Sequence, residues 1–109
     1  MKRSKDINIY EIRLEGTPPW NIDLSSLIPI NFEENKNLLK YDYARFIIPN
    51  NAIRKLISFN EFLNFINDGI NSSIVMDYTI GNDGVMAVYG YLKITAVNDN
   101  IISVEYAEV

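Results

Sequence analysis

The chain has 109 residues and a net charge of −4, and 48% of its residues are hydrophobic. It contains neither histidine nor cysteine. Without these two residue types it lacks the usual proton shuttle, thiolate nucleophiles, disulfides and the commonest transition-metal ligands. The length predicts a single domain over residues 1–109 with an ordinary apolar core.

Two strands are predicted in the first half of the chain. Alternating apolar and charged residues indicate a strand over Ile7–Glu15, which ends at the Gly-Thr-Pro-Pro sequence that follows it. Residues 16–39 are predicted to be irregular, apart from one short helical turn capped by Asn21 or Asp23. Tyr41–Ile48 is predicted to form the second strand.

The strongest local signal is a helix start at Ser58. Ser58 and Glu61 have the spacing of a capping box, in which each side chain satisfies a free backbone N–H group. Apolar residues then follow at helical spacing, and Gly69 is a typical stop. The predicted apolar stripe consists of Phe59, Phe62, Leu63 and Ile66. This stripe is expected to pack on a sheet.

The C-terminal third predicts a three-stranded antiparallel meander. Its strands are Ser73–Ile80, Val85–Val97 and Ile101–Ala107. The turns between them, residues 81–84 and 98–100, contain glycine, asparagine and aspartate, which tolerate positive φ angles. The overall prediction is a small α+β domain with an antiparallel sheet, the element order β-β-α-β-β-β and one helix packed on the sheet. A small barrel-like sheet is the alternative.

Strand pairing through these turns sorts the meander side chains onto two faces. The predicted pairs are Ile80 with Val85 and Val97 with Asn100. One face then carries Ile74, Met76, Tyr78, Ala87, Tyr89, Tyr91, Lys93, Ile102, Val104 and Tyr106. The other carries Val75, Asp77, Met86, Val88, Gly90, Leu92, Ile94, Ser103 and Glu105. Gly90 lies in mid-strand, which indicates close approach of a bulky group, and the helix phenylalanines are the expected candidates.

The predicted face with four tyrosines is the main candidate for partner binding. Tyrosine combines a large apolar ring with a polar tip and is enriched in interfaces. The candidate partner-binding residues are Tyr78, Tyr89, Tyr91, Tyr106 and, in the irregular segment, Trp20. Alternatively, the N-terminal strands with Tyr41, Tyr43 and Phe46 cover this face and complete a sandwich or small barrel. Trp20 likewise fits either an interface anchor or the edge of the core.

Charge is distributed unevenly along the chain. Residues 1–13 contain four basic and two acidic residues, which is weak evidence for nucleic-acid binding and is typical of a solvated end. Residues 72–109 contain one lysine against five acids. An acidic surface suits a basic partner protein, for example a nucleic-acid-processing protein, because it speeds encounter by electrostatic steering.

The sequence predicts a non-enzymatic, cytoplasmic protein-binding domain of the acidic inhibitor, immunity-protein or phage-encoded antagonist type. No catalytic residue, metal ligand or cofactor is predicted, and no segment is apolar enough to cross a membrane. One alternative is a self-associating module that pairs through the tyrosine face or through edge strand 101–107. The other is a carboxylate-dependent enzyme or small-ligand binder, which requires a pocket containing at least two of Asp42, Asp77 and Glu105.

Overall fold

A computed structural model describes residues 8–27, 29–31 and 42–109. In this part of the chain, two four-stranded sheets and one α-helix form an α+β fold, which confirms the predicted class. The strands are β1 (Asn8–Arg13), β2 (Trp20–Asp23), β3 (Pro29–Asn31), β4 (Tyr43–Ile48), β5 (Ile53–Ser58), β6 (Ser73–Ile80), β7 (Met86–Asn98) and β8 (Ile101–Glu108). Helix α1 spans Phe59–Asp68.

The N-terminal half forms a mixed sheet with the strand order β3-β1-β4-β5. Strands β1 and β4 are parallel, whereas β3 and β5 are antiparallel to their neighbours. The parallel register places Glu11 beside Arg45, and their side chains form an ion pair at 2.9 Å. This sheet is therefore mixed, in addition to the antiparallel sheet that the sequence predicts.

The C-terminal meander belongs to an antiparallel sheet with the order β2-β8-β7-β6, which curls into a half-barrel. The predicted meander is confirmed, with β7 starting at Met86 rather than Val85. Strand β2 adds to its edge, where Trp20 pairs with Val104 and Asp23 with Ile101.

Three strands were not predicted from the sequence. Strands β2 and β3 lie within the segment expected to be irregular, and β5 lies between the second predicted strand and the helix. The predicted turn between β2 and β3 is present as a short 3-10 helix over Leu24–Ser26, capped by Asp23. The predicted first residues of the two N-terminal strands, Ile7 and Tyr41, lie outside the described residues.

Helix α1 begins where the sequence predicts. The Ser58 hydroxyl accepts a hydrogen bond from the Glu61 N–H group at 3.1 Å, and the helix ends before Gly69, whose φ is +74°. The buried side chains are Phe62 and Phe65, whereas Leu63 is 41% exposed. Around the helix axis, Leu63 and Phe65 lie on opposite sides of Phe62. The buried stripe is therefore rotated away from its predicted position.

One apolar core lies between the two sheets and the helix. Ten of its buried side chains are Phe46, Ile48, Ile57, Phe62, Phe65, Met76, Leu92, Ile94, Ile102 and Val104. The Phe46 ring packs against Phe62 and Phe65, with ring centroids 5.8 and 6.4 Å apart. Both sheets depend on this core, because each turns its apolar face into the same cluster.

We expect Phe62→Ala to lower the free energy of unfolding by about 3 to 5 kcal/mol, because the substitution leaves a cavity around a side chain that is 0% exposed. The measurement is equilibrium unfolding in urea. The matched control is Leu63→Ala on the neighbouring, half-exposed position, for which we expect a loss of about 1 kcal/mol or less. Equal losses for the two variants would contradict the described helix orientation.

Candidate functional site

The strand register divides the four tyrosines of the meander between two faces, so the predicted tyrosine face is wrong. Ile80 pairs with Met86 rather than with Val85. Val85 belongs to the turn, because its N–H group donates to the Asp83 carboxylate at 3.1 Å and its carbonyl accepts from Gly81 at 2.9 Å. A shift of one residue in the pairing of two strands changes which side chains of the two strands lie on the same face of the sheet.

A second irregularity, between Ile94 and Ala96, shifts the pairing of β7 with β8. Tyr106 therefore lies opposite Leu92, and Tyr91 lies opposite Ala107. Tyr78 and Tyr106 share the core-facing side of the sheet with Leu92. Tyr89 and Tyr91 lie on the outer side, where Tyr89 is 51% exposed.

The core-facing side continues past the core at the end of the β6–β7 hairpin. Tyr78 pairs with Val88, and Ile80 pairs with Met86, so these four side chains share one face. We call them the hairpin patch. Tyr78, Ile80 and Met86 are 40%, 65% and 52% exposed, whereas Met76 and Leu92 on the same side of the sheet are 4% and 0% exposed.

Strand β7 extends past its last pair with β8 in this hairpin. The last residue of β8, Glu108, pairs with Gly90, and the Val109 N–H group donates to the Tyr89 carbonyl at 2.9 Å. In the described part of the chain, β7 before Tyr89 has only β6 as a strand neighbour. The hairpin patch is therefore an apolar surface on a two-stranded extension.

One lysine from the mixed sheet lies at the base of the hairpin patch. The Lys55 ammonium group is 4.8 Å from the centroid of the Tyr78 ring. Such a cation–π contact is worth roughly 0.5 to 1 kcal/mol at an exposed site. It links the mixed sheet to the projecting hairpin.

Gly90 makes room for the Tyr106 side chain. A Cβ atom at Gly90 would lie only 1.9 Å from the Tyr106 hydroxyl. The bulky neighbour predicted for Gly90 therefore exists, but it is Tyr106 and not a helix phenylalanine. The hydroxyl donates to the Asp77 carboxylate at 3.5 Å, and burial together with the charges of Asp77 and Glu108 raises the pKa of Tyr106.

The remaining two tyrosines lie apart from the hairpin patch. The Tyr89 and Thr79 hydroxyls are 3.3 Å apart on the outer side of the hairpin. Tyr91 is half-buried and lines a shallow hollow of about 270 Å³ together with Asn71, Ser73, Lys93 and Ala107. Only Tyr78 of the predicted tyrosines belongs to the hairpin patch.

Trp20 lies in the core and not on a surface loop. Its side chain is 6% exposed and belongs to the buried cluster, and its indole N–H group donates to the Gly16 carbonyl at 3.3 Å. Strand β2 carries it inward, because Trp20 pairs with buried Val104. The alternative of Trp20 at the core edge is the one that the structure supports.

A groove of about 380 Å³ separates α1 and β5 from the edge strand β6. Its apolar lining includes Ile57, Phe65 and Ile74, which border the core. Its charged lining comprises two acids from the helix, Glu61 and Asp68, and Lys55 from β5. The groove therefore offers an apolar floor with an acidic wall.

The carboxylates proposed for catalysis do not come together. The register places Asp77 beside Gly90 and Glu105 beside Lys93, so they lie on opposite sides of the sheet. Asp42 has a structural role, because its side chain accepts from the Asn8 N–H group and its carbonyl from the Phe59 N–H group. Among the described residues there is no cluster of three or more acids suited to a metal ion.

The ion pairs of the mixed sheet form a separate cluster. Glu11 accepts from Arg45 at 2.9 Å and from Arg13 at 3.1 Å. The hydrogen bond from Arg45 lowers the pKa of Glu11, although partial burial opposes this effect. An acid held ionised between two arginines is unsuited to general acid catalysis, so we assign this cluster to the pairing of β1 with β4.

No protein-family model, curated protein or solved structure matches the chain. Within the described ranges, no helix is long and apolar enough to span a membrane. The candidate site therefore rests on geometry alone. Sequence reasoning identified Tyr78 but missed the other three residues. Met86 and Val88 were missed because the assumed register placed them on the opposite face from Tyr78, and Ile80 was missed because only aromatic residues were chosen as candidates.

We expect Gly90→Ala to destabilise the fold by roughly 1 to 3 kcal/mol, because the added methyl group must displace the Tyr106 ring. In a Tyr106→Ala background the same change should cost much less, which gives a coupling free energy of about 1 kcal/mol or more. Urea unfolding of the four proteins in this double-mutant cycle measures the coupling. Additive losses would show that Tyr106 does not occupy the space above Gly90.

Proposed function

We propose that this protein is a non-enzymatic protein-binding domain that engages its partner through the hairpin patch. The observation that carries the proposal is the continuous exposure of Tyr78, Ile80 and Met86 on one face of a projecting hairpin. Contiguous exposed apolar surface on a small protein is typical of an interaction site. A patch at the end of a two-stranded extension can reach a concave surface on another protein.

The charges around the patch support a basic partner. Asp77 and Asp83 are exposed on the same hairpin, and Glu108, which pairs with Gly90, is exposed at the end of β8 beside it. A mixture of apolar contact and surrounding negative charge favours fast association with a positively charged protein. We therefore propose an inhibitor, immunity-type or phage-encoded antagonist role that acts in the cytoplasm by covering a basic functional surface, such as that of a nucleic-acid-processing protein.

The structure changes the case for self-association. The edge strand proposed for it, residues 101–107, is covered by β2 along Ile101–Val104. The four tyrosines do not share a face, so a symmetric tyrosine interface is also lost. We therefore propose a different protein as the partner, and sedimentation tests this proposal against a second copy of the chain.

We expect the triple variant Tyr78→Ser, Ile80→Ser, Met86→Ser to lose its partner. Affinity capture on the immobilised wild-type chain, from a lysate of the source organism, should retain a basic protein that the variant does not retain. Once that protein is purified, the loss of affinity should be about 100-fold or more, since interface anchors contribute roughly 1 to 2 kcal/mol each.

The matched control for the triple variant is Leu63→Ser, Ile70→Ser, Val97→Ser. These side chains are 41%, 58% and 45% exposed, so the control removes apolar surface of similar exposure away from the hairpin. Circular dichroism should show that both variants are folded. If the control and the hairpin variant lose the captured protein equally, the hairpin patch is not the binding site.

We also expect the isolated chain to be monomeric at tens of micromolar in sedimentation velocity. A reversible dimer whose dissociation constant rises in the hairpin variant would instead identify the patch as a contact between two copies. That result would replace the proposed partner with a second copy of this chain.

A further inference from the structure

The free edge of β6 is the feature with the most specific binding chemistry outside the hairpin patch. In the described part of the chain, β6 has β7 as its single strand neighbour and ends the antiparallel sheet. The edge faces the groove whose other wall is α1 and β5. An edge strand presents unpaired N–H and C=O groups that can pair with another extended segment.

The hydrogen bonds show which residues present these groups. The Ile94 N–H group donates to the Ser72 carbonyl at 2.9 Å, so the backbone polar groups of Ile94 point to the β6 side. These groups alternate in direction along a strand, so those of Leu92 also point to β6. Ile74 pairs with Leu92 and is turned to β7, which leaves Ser73 and Val75 turned to the free edge.

We propose that this edge and groove bind an extended segment of a partner protein, in which apolar side chains alternate with lysine or arginine. The backbone of the segment pairs with Ser73 and Val75 and adds a strand to the antiparallel sheet. The proposal deepens the proposed function, since it assumes a protein partner and specifies the chemistry of one segment of that partner.

The groove lining determines the side-chain chemistry of the segment. On an added strand, alternate side chains point to one face. Those on the core-facing side meet the apolar floor formed by Phe65 and Ile74. The charged wall contains Glu61 and Asp68, whereas Lys55 lies over the Tyr78 ring. This charge balance favours basic side chains on the segment.

The size of the groove agrees with a short segment. Its volume of about 380 Å³ lies at the lower end of the range for ligand pockets, roughly 300 to 1,000 Å³. The register also limits the pairing, because β6 has irregularities on both sides of Asp77. Continuous pairing is therefore expected along Ser73–Val75 and not along the whole strand.

The probe for the test is a short blocked peptide of alternating lysine and valine, added to the full ¹⁵N-labelled chain. We expect hydrogen exchange at the Ser73 and Val75 amides to slow by about tenfold or more at saturation, because both groups gain a partner. The Ile74 amide is an internal control, since it is already bonded to β7. A peptide of alternating glutamate and valine should not bind.

Two substitutions at one position separate backbone pairing from other contacts. Ser73→Pro removes an outward N–H group at the first residue of an edge strand, where proline is tolerated. It should lower the affinity for the lysine–valine peptide about tenfold. Ser73→Ala keeps the N–H group and should bind the peptide as the wild type does.

A further variant tests the acidic wall of the groove. Glu61→Gln together with Asp68→Asn should weaken binding of the lysine–valine peptide about fivefold at low salt.

A second probe covers the case in which Ser73→Pro does not fold. N-methylation of every backbone amide of the peptide removes its donors on both edges without altering the protein, and should abolish binding. Three results would each overturn the proposal. They are unchanged exchange at Val75, equal binding of the glutamate and lysine peptides, and equal binding of the peptide by the Ser73→Pro and Ser73→Ala variants. Val75 protection that rises with protein concentration without peptide would assign the edge to a second copy and also overturn it.

The outcomes for the two proposals are separable. If the peptide fails to bind while the hairpin variant still loses its captured partner, strand addition is wrong and the proposed function stands. If the peptide protects Val75 while the hairpin variant keeps its partner, the β6 edge is a binding site and the hairpin patch is not.

Discussion

The shared core between the two sheets is the constraint on which the rest of the structure depends. Phe46 and Phe62 fill it from the mixed sheet and the helix, and Leu92 and Ile94 fill it from the antiparallel sheet. Burial of each such side chain contributes roughly 1.5 to 3 kcal/mol, so the core-facing side of β7 must be apolar. The hairpin extends that side beyond the cover of the mixed sheet, and its apolar side chains are consequently exposed.

Local sequence signals predicted the elements that depend on near neighbours. The Ser58 cap, the Gly69 stop and the three meander strands are determined by hydrogen bonds and alternation within a few residues. Strand β5 directly follows β4 through residues 49–52, and it was missed because its sequence, Ile-Arg-Lys-Leu-Ile-Ser, does not alternate strictly between apolar and polar residues. Strand β2 was missed because it has only four residues and gains its stability from pairing with β8, which is distant in sequence. The same long-range pairing buries Trp20, a position that composition alone could not decide.

The candidate site was harder to predict because it depends on register. Alternation identified which residues of β6 and β8 share a face, and Tyr78 and Tyr106 do share one. The face assignment of β7 was wrong, since Val85 belongs to the first turn, where its N–H group donates to the Asp83 side chain, and an irregularity follows Ile94. Gly90 correctly signalled a close neighbour, but only the register shows that the neighbour is Tyr106.

The hairpin patch and the free edge both include residues of β6, and this arrangement has a physical consequence. A long, regular edge strand is an aggregation hazard, and natural sheets interrupt such edges with bulges and charged residues. The irregularity at Asp77 interrupts β6 in this way, with its exposed carboxylate at the break. It divides the strand into an edge beside the groove and an apolar hairpin beyond it. The β6 edge of a second copy cannot pair continuously across this break. A partner with a short basic segment can pair beside the groove and cover the hairpin patch separately. The interruption that discourages self-pairing therefore leaves both surfaces open to a different protein.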